Sequence, residues 1–155
     1  RIMSPQNVEG HFALNTLAPY VLTQRLRKQL SAGAQDVRQS VVVNFSSSAV
    51  SGVKELDVTT LTNPESIGGL MGAYAKSKAA LTVVSATMKE TLWKDGILIQ
   101  IVAQAQRLFD AVETAVNEGK SGLFISEGKR KPYPSIALNK SIQTEIKLLL
   151  DTQVQ

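Results

Sequence analysis

Tyr74 and Lys78 stand four residues apart in the run Tyr74-Ala75-Lys76-Ser77-Lys78, a spacing that puts both side chains on one face of a helix, one turn apart. A phenol ordinarily ionises near pH ~10, and a neighbouring ammonium favours its charged form, so such a pair is suited to exchanging a proton with one substrate oxygen. Ser46-Ser47-Ser48 offers hydroxyls that could meet the same oxygen from its other side and steady charge as it develops. Ser47 is placed to do this, and a shift of register would pass the role to Ser46 or Ser48. Taken alone, Tyr-x-x-x-Lys is also what a surface tyrosine beside a solvated lysine looks like, so its weight rests on the elements around it.

Those elements alternate in type. Between Gly10 and Leu30 apolar residues recur at Phe12, Leu17, Val21, Leu22, Leu26 and Leu30, which predicts one long helix, with Pro19 bending it or sitting in a first turn. Ser31 to Ser40 reads as a polar loop. Val41-Val42-Val43-Asn44-Phe45 is a short β-branched run of the kind buried on both faces of a parallel sheet, and it ends on the three serines. Carboxyl ends of parallel strands are where open α/β sheets place their ligands. After a loop with Asn63-Pro64 and Gly68-Gly69, a helix is expected from Ala73 to Trp93, with Leu81, Val84, Met88 and Leu92 on its stripe, followed by a second buried strand, Ile97 to Val102. Ala103 to Glu118 reads as a helix closed by Gly119, Leu123-Phe124-Ile125 as a third strand, and Ile142, Ile146 and Leu149 as the stripe of a last helix. The expectation is a single α/β domain over residues 1–155, a doubly wound parallel sheet with too few strands to be complete.

Composition narrows the chemistry. The 155 residues are 43% apolar and 19% charged, enough for one core. There is no cysteine, so neither a disulfide framework nor a thiolate metal site is available, and the one histidine, His11, reads most simply as a solvated or capping residue. No metal is expected. The formal charge of +4 is spread out, with one basic run at Lys129-Arg130-Lys131, and Arg25, Arg27 and Lys28, within two turns of a helix, have no aromatic residues interleaved for base stacking, so nucleic acid is not expected as a partner. The apolar runs are short for a membrane span and the start lacks a signal-peptide pattern, from which a cytoplasmic protein is expected. Trp93 is most simply a core or interface aromatic.

With these segments in order, the chain resembles the short-chain dehydrogenase/reductase family over most of its length. Val43-Asn44-Phe45-Ser46-Ser47-Ser48-Ala49 resembles the strand that ends on the family's catalytic serine, which implies that role for Ser47. Tyr74-Ala75-Lys76-Ser77-Lys78-Ala79-Ala80-Leu81 resembles its Tyr-x-x-x-Lys helix, implying Tyr74 as general acid/base and a cofactor contact, and Lys78 as the group that tunes the tyrosine and holds the nicotinamide ribose. Phe12-Ala13-Leu14-Asn15-Thr16-Leu17 resembles the helix whose asparagine positions a water in the proton relay, so Asn15 takes that place. The resemblance implies a Rossmann-like fold and an oxidoreductase that moves hydride between NAD or NADP and a small carbonyl or alcohol substrate. It also implies a homodimer or homotetramer paired through the helices at Gly10–Leu30 and Ala73–Trp93.

Two departures qualify that expectation. No glycine-rich turn for the cofactor phosphates is present: Gly119, Gly122 and Gly128 do not follow a strand and open a helix, and Arg1-Ile2-Met3-Ser4-Pro5 looks like the stretch after the family's first half, as if that half were cut off. After Val102 the family turns through Pro-Gly into a substrate-binding segment, whereas here Ala103-Gln104-Ala105 follows; the expectation is that residues have been left out of a continuously numbered chain rather than truly lost. If half of the cofactor site is missing, a non-catalytic scaffold or oligomerisation protein is the alternative. An extended relative, such as a nucleotide-sugar epimerase, would need a larger substrate domain after Lys78.

Overall fold

The computed structural model describes residues 2–37, 39–103, 112–113, 116–126 and 129–153. The first helix, α1, starts as Gly10–Phe12, widens into a π-helical stretch at Ala13–Leu17 and continues as Ala18–Arg25. Pro19 lies in the first turn of that last part, where its missing N–H costs little. A break at Leu26 separates α1 from α2, Arg27–Val37, so the one long helix expected from the periodicity is two helices. The polar loop expected at Ser31–Ser40 is mostly α2. Ala32 and Ala34 are good helix formers, Ala34 is buried, and the Ser40 hydroxyl donates to the Leu30 carbonyl at 2.6 Å, so packing and a side-chain anchor outweigh the polar composition.

Strand β1, Ser40–Phe45, is followed by short 3₁₀ turns at Ser48–Gly52 and Val58–Thr60 and by the long helix α3, Leu70–Trp93. Strand β2, Ile97–Val102, leads through residues largely outside the described set to β3, Leu123–Ser126, and β4, Lys129–Lys131. Helices α4, Ser135–Leu138, and α5, Lys140–Gln153, close the described chain. The expected helix from Ala103 and the junction after Val102 fall mainly on undescribed residues.

The sheet order is β1-β2-β3-β4, with β1, β2 and β3 parallel and β4 antiparallel. The protein is therefore α/β with an open, mostly parallel sheet, and its fourth strand is the basic run Lys129-Arg130-Lys131, which sequence alone left as surface charge. The side chain of Arg130 pairs there with Glu118. Every residue of β2 is buried, as a parallel strand between neighbours requires, but Val41, Val42 and Val43 are only half-buried. The expectation of burial on both faces fails for β1, which among the described strands stands at the sheet edge with only β2 beside it.

One core cluster holds the layers together: Phe12, Ala80, Val83, Val84, Met88 and Leu92 from the helices meet Ile97 and Ile99 from β2, with Ile146 and Leu150 from α5 completing it. Trp93 lies outside it, 49% exposed. At Gly96 the backbone turns into β2 at φ +74, and a Cβ there would sit 3.1 Å from that of Ala34, so both the conformation and the space call for glycine. Gln100 is fully buried, with its amide nitrogen donating to the Lys120 carbonyl at 2.7 Å and its amide oxygen accepting from the Leu123 N–H at 3.0 Å. Between α1 and α5 the Tyr20 hydroxyl donates to Asp151 at 2.5 Å; burial first, and then this carboxylate, push the phenol up to about 12.

Two outcomes follow from these buried polar groups. Gln100→Leu leaves the Leu123 N–H and the Lys120 carbonyl without their partner, each costing ~1–3 kcal/mol at most, so urea denaturation should show a loss of up to roughly 2–6 kcal/mol. Tyr20 keeps its proton in the folded chain after the unfolded chain has lost it at its usual pH near 10, so its contribution is complete below 10 and is lost as pH rises through about 12. Tyr20→Phe should make the stability curve flatter over that window.

Candidate functional site

The candidate site is built on the seam between β1 and α3. Three polar contacts cross it: Asn44 Nδ2 donates to Ser85 Oγ at 2.8 Å, the hydroxyls of Ser46 and Thr82 share a 2.8 Å hydrogen bond, and Lys78 Nζ donates to the Phe45 carbonyl at 2.7 Å. Ser85 and Thr82 also donate back to the carbonyls of Leu81 and Lys78. Reading from Ser85 back to Lys78 moves along α3 toward the carboxyl ends of the strands, so the early turns of α3 and the serines after β1 lie at the same end of the sheet. That end is common to all three parallel strands: Ser46 N–H bonds to Val102, and Ala103 N–H to Ile125.

Tyr74 and Lys78 lie on one face of α3, in its second and third turns, because the helix begins at Leu70 rather than at Ala73. The Lys78 ammonium is 6.0 Å from the Tyr74 ring centroid and is held by a backbone carbonyl two residues before Ser47. Burial pushes the Lys78 ammonium below the ordinary lysine value. Ser47 begins the 3₁₀ turn, its hydroxyl oxygen accepting from the Ala49 N–H at 3.2 Å. Among the described residues no hydrogen bond joins Ser47 to Tyr74.

Asn15 reaches the same helix from the other side. Its amide donates to Ser77 Oγ at 3.0 Å, and Ser77 donates to the Tyr74 carbonyl at 2.7 Å, while Thr16 Oγ1 donates to the Ser77 carbonyl at 2.7 Å. Asn15 sits at the centre of the π-helical stretch, whose wider turn alters which way side chains face, a local distortion that recurs at functional sites. Asn15, Tyr74 and Lys78 thus share one neighbourhood, with Ser47 reached through the Lys78–Phe45 contact.

Asn15 and Tyr74 also line a groove of about 1120 Å³ with Glu9, His11, Leu14, Leu17 and Leu70 among its walls. Sequence reasoning left His11 as solvated or capping and did not single out Glu9. In the structure Glu9 is 2% exposed and caps α1, accepting the Phe12 N–H at 2.9 Å, and its other oxygen lies 2.9 Å from His11 Nδ1. Burial opposes the Glu9 charge, but hydrogen bonds from His11 and the α1 amides overcome it and hold the carboxyl below its ordinary value. Ser77, Thr82 and Ser85 were also missed. Their signal was legible as hydroxyls interrupting the apolar stripe of α3, but nothing in the sequence says which partner each would find.

Among the described residues no group of three or more His, Cys, Asp or Glu could hold a metal ion, and no helix is long and apolar enough to cross a membrane. The Lys78 ammonium has three donors, of which the Phe45 carbonyl takes one, so with the Tyr74 hydroxyl it fits the hydroxyls of a ribose. No glycine-rich strand-to-helix turn for dinucleotide phosphates occurs among the described residues. In a protein with isotopically labelled lysine side chains, the Lys78 signal should titrate below the ordinary lysine value, and Lys78→Met should remove that resonance. Between the depressed folded value and the ordinary 10.5 the unfolded chain binds the extra proton, so Lys78 makes stability rise with pH there, a rise that the methionine variant should lack. No protein-family model, curated protein or solved structure matches the chain.

Proposed function

We propose that this chain is the proton-handling part of a short-chain dehydrogenase/reductase, acting on a small carbonyl or alcohol compound with NAD or NADP. The observation that carries the reading is the Lys78–Phe45 contact at the carboxyl end of β1, which brings an ammonium on the tyrosine's helix face to the strand that leads into Ser47. In this reading Tyr74 gives its hydroxyl proton to the carbonyl oxygen during reduction and takes it back during oxidation. Lys78 steadies the phenolate left behind and binds the cofactor ribose. Ser47 donates a hydrogen bond to the same substrate oxygen, and Asn15 orders the water through which the proton is replaced. The nicotinamide, when bound, supplies or accepts the hydride.

The groups that would hold the cofactor's phosphates are not found among the described residues. A non-catalytic scaffold is the second reading, favoured by the exposed Leu22 and Leu26 on α1 and at its end, which are 60% and 48% accessible. The same side chains suit pairing with a second copy, which is how the proposed homo-oligomer would form.

Titrating NADH and NADPH into the full-length protein separates the two readings, since saturable binding supports the enzyme and its absence supports the scaffold. With a turnover assay in hand, Tyr74→Phe should lower kcat by about a hundredfold or more, the usual weight of a positioned proton donor, while weakening cofactor binding by no more than one ribose hydrogen bond would. Equal loss of cofactor binding in this variant would mean that Tyr74 acts structurally.

A further inference from the structure

A second cavity, of about 550 Å³, opens at the far end of α3 from Tyr74. Its walls are the last turns of α3 and the turn Gly119-Lys120-Ser121-Gly122, which leads into β3. From Lys78 to Trp93 along α3 is ~22 Å at helical rise, so this cavity is separate from the candidate site. Both glycines of the turn hold positive φ, +59 at Gly119 and +73 at Gly122. A Cβ at Gly122 would overlap Cδ and Cε of Lys89, so the lysine stem lies across the turn and ties that wall to α3. Three properties of the lining then call for a ligand. Trp93 is 49% exposed, and among the described residues no other ring and no cation lies against its indole. Lys89 and Lys94 have no acidic partner among the described residues, and Lys120 shares Glu118 with Arg130. Ser121 is only 8% exposed; its hydroxyl oxygen accepts the Ile99 N–H at 3.0 Å, and among the described residues its own hydrogen has no acceptor. A buried hydroxyl hydrogen left without an acceptor costs stability that an entering oxygen would restore.

We infer that this cavity is a second binding site, for a free nucleoside monophosphate whose base stacks on Trp93 and whose phosphate is taken by Lys89, Lys120 and the Ser121 hydroxyl. The assignment does not depend on the role of Tyr74. Stacking on tryptophan needs only the π face that every base has, and an indole left to water supplies it. Lysine ammoniums bind phosphate as point charges, and the serine adds one directed donor to a charged oxygen. Glu90, the one acid among the described lining residues, and the carbonyl end of α3 both repel an anion. The phosphate therefore belongs at the glycine-bracketed turn and the base at Trp93. A concave space of this size lies within the range of small-molecule sites, roughly 300–1,000 Å³, which favours a free nucleotide over a strand or a flat membrane surface.

Trp93 is the only tryptophan in the chain, so its indole N–H gives one signal in a ¹H–¹⁵N spectrum. Adding AMP to the full-length protein should shift that signal saturably. Adenosine, which lacks the phosphate, should bind about tenfold more weakly, the size of one charge-assisted hydrogen bond. The double variant Lys89→Gln, Lys120→Gln should erase this preference and leave adenosine binding as it was. In calorimetry Trp93→Leu should weaken AMP and adenosine alike by about tenfold, the weight of one stacked base. Equal affinity for AMP and adenosine, an unmoved indole signal, or AMP binding that is lost with Lys78→Met instead of with the Lys89 and Lys120 pair would overturn the assignment. So would tighter binding of an oligoadenylate without a terminal phosphate, which would make the surface a nucleic-acid track. An indole shift with phosphatidylserine vesicles and none with AMP would replace the nucleotide by a membrane.

Discussion

The seam of three hydrogen bonds between β1 and α3 governs the rest of the molecule. A long helix lying on a parallel sheet is held mainly by apolar contacts, and those tolerate sliding and rotation by a fraction of a turn. Asn44–Ser85, Ser46–Thr82 and Lys78–Phe45 do not, because each places a buried or half-buried polar group opposite one partner and would leave it unsatisfied in any other register. Apolar burial brings α3 to the sheet, and the polar seam decides where along it the helix stops. Tyr74 inherits its position from that decision.

The same logic explains the division of labour on α1. Phe12 secures the helix in the core, while Asn15 and Thr16 both address Ser77, one through its hydroxyl and one through its carbonyl. The π-helical stretch puts these neighbouring residues against a single turn of α3. Two helices are thereby locked together at Tyr74, so the phenol is presented from a backbone constrained on both sides, which suits a group that must meet a reacting atom within a narrow tolerance.

Much of this was legible in the sequence, and the parts that were not share a cause. The strands β1, β2 and β3, the core stripe of α3 and the last helix declare themselves through period and residue type, because burial acts on every residue of the element at once. Ser47, Tyr74, Lys78 and Asn15 could be singled out only because their order along the chain resembles a family's pattern. The continuation of helix through Ala32 and Ala34, the edge position of β1, the pairing of Lys129–Lys131 with β3 and the Glu9–His11 bond could not be read. Each depends on one contact between segments, and a single contact leaves no periodic trace. Glu9 shows the limit well: an acidic residue before a helix predicts a cap, which it is, but not that its second oxygen would hold a histidine.

The edge position of β1 carries a further consequence. Val41-Val42-Val43-Asn44-Phe45 is uncharged, rich in β-branched residues and free of proline and glycine, and among the described strands it pairs only with β2. Its outer row of amides and carbonyls has the composition from which fibrillar stacks nucleate. Left open, that edge would be a template on which another chain could add a strand.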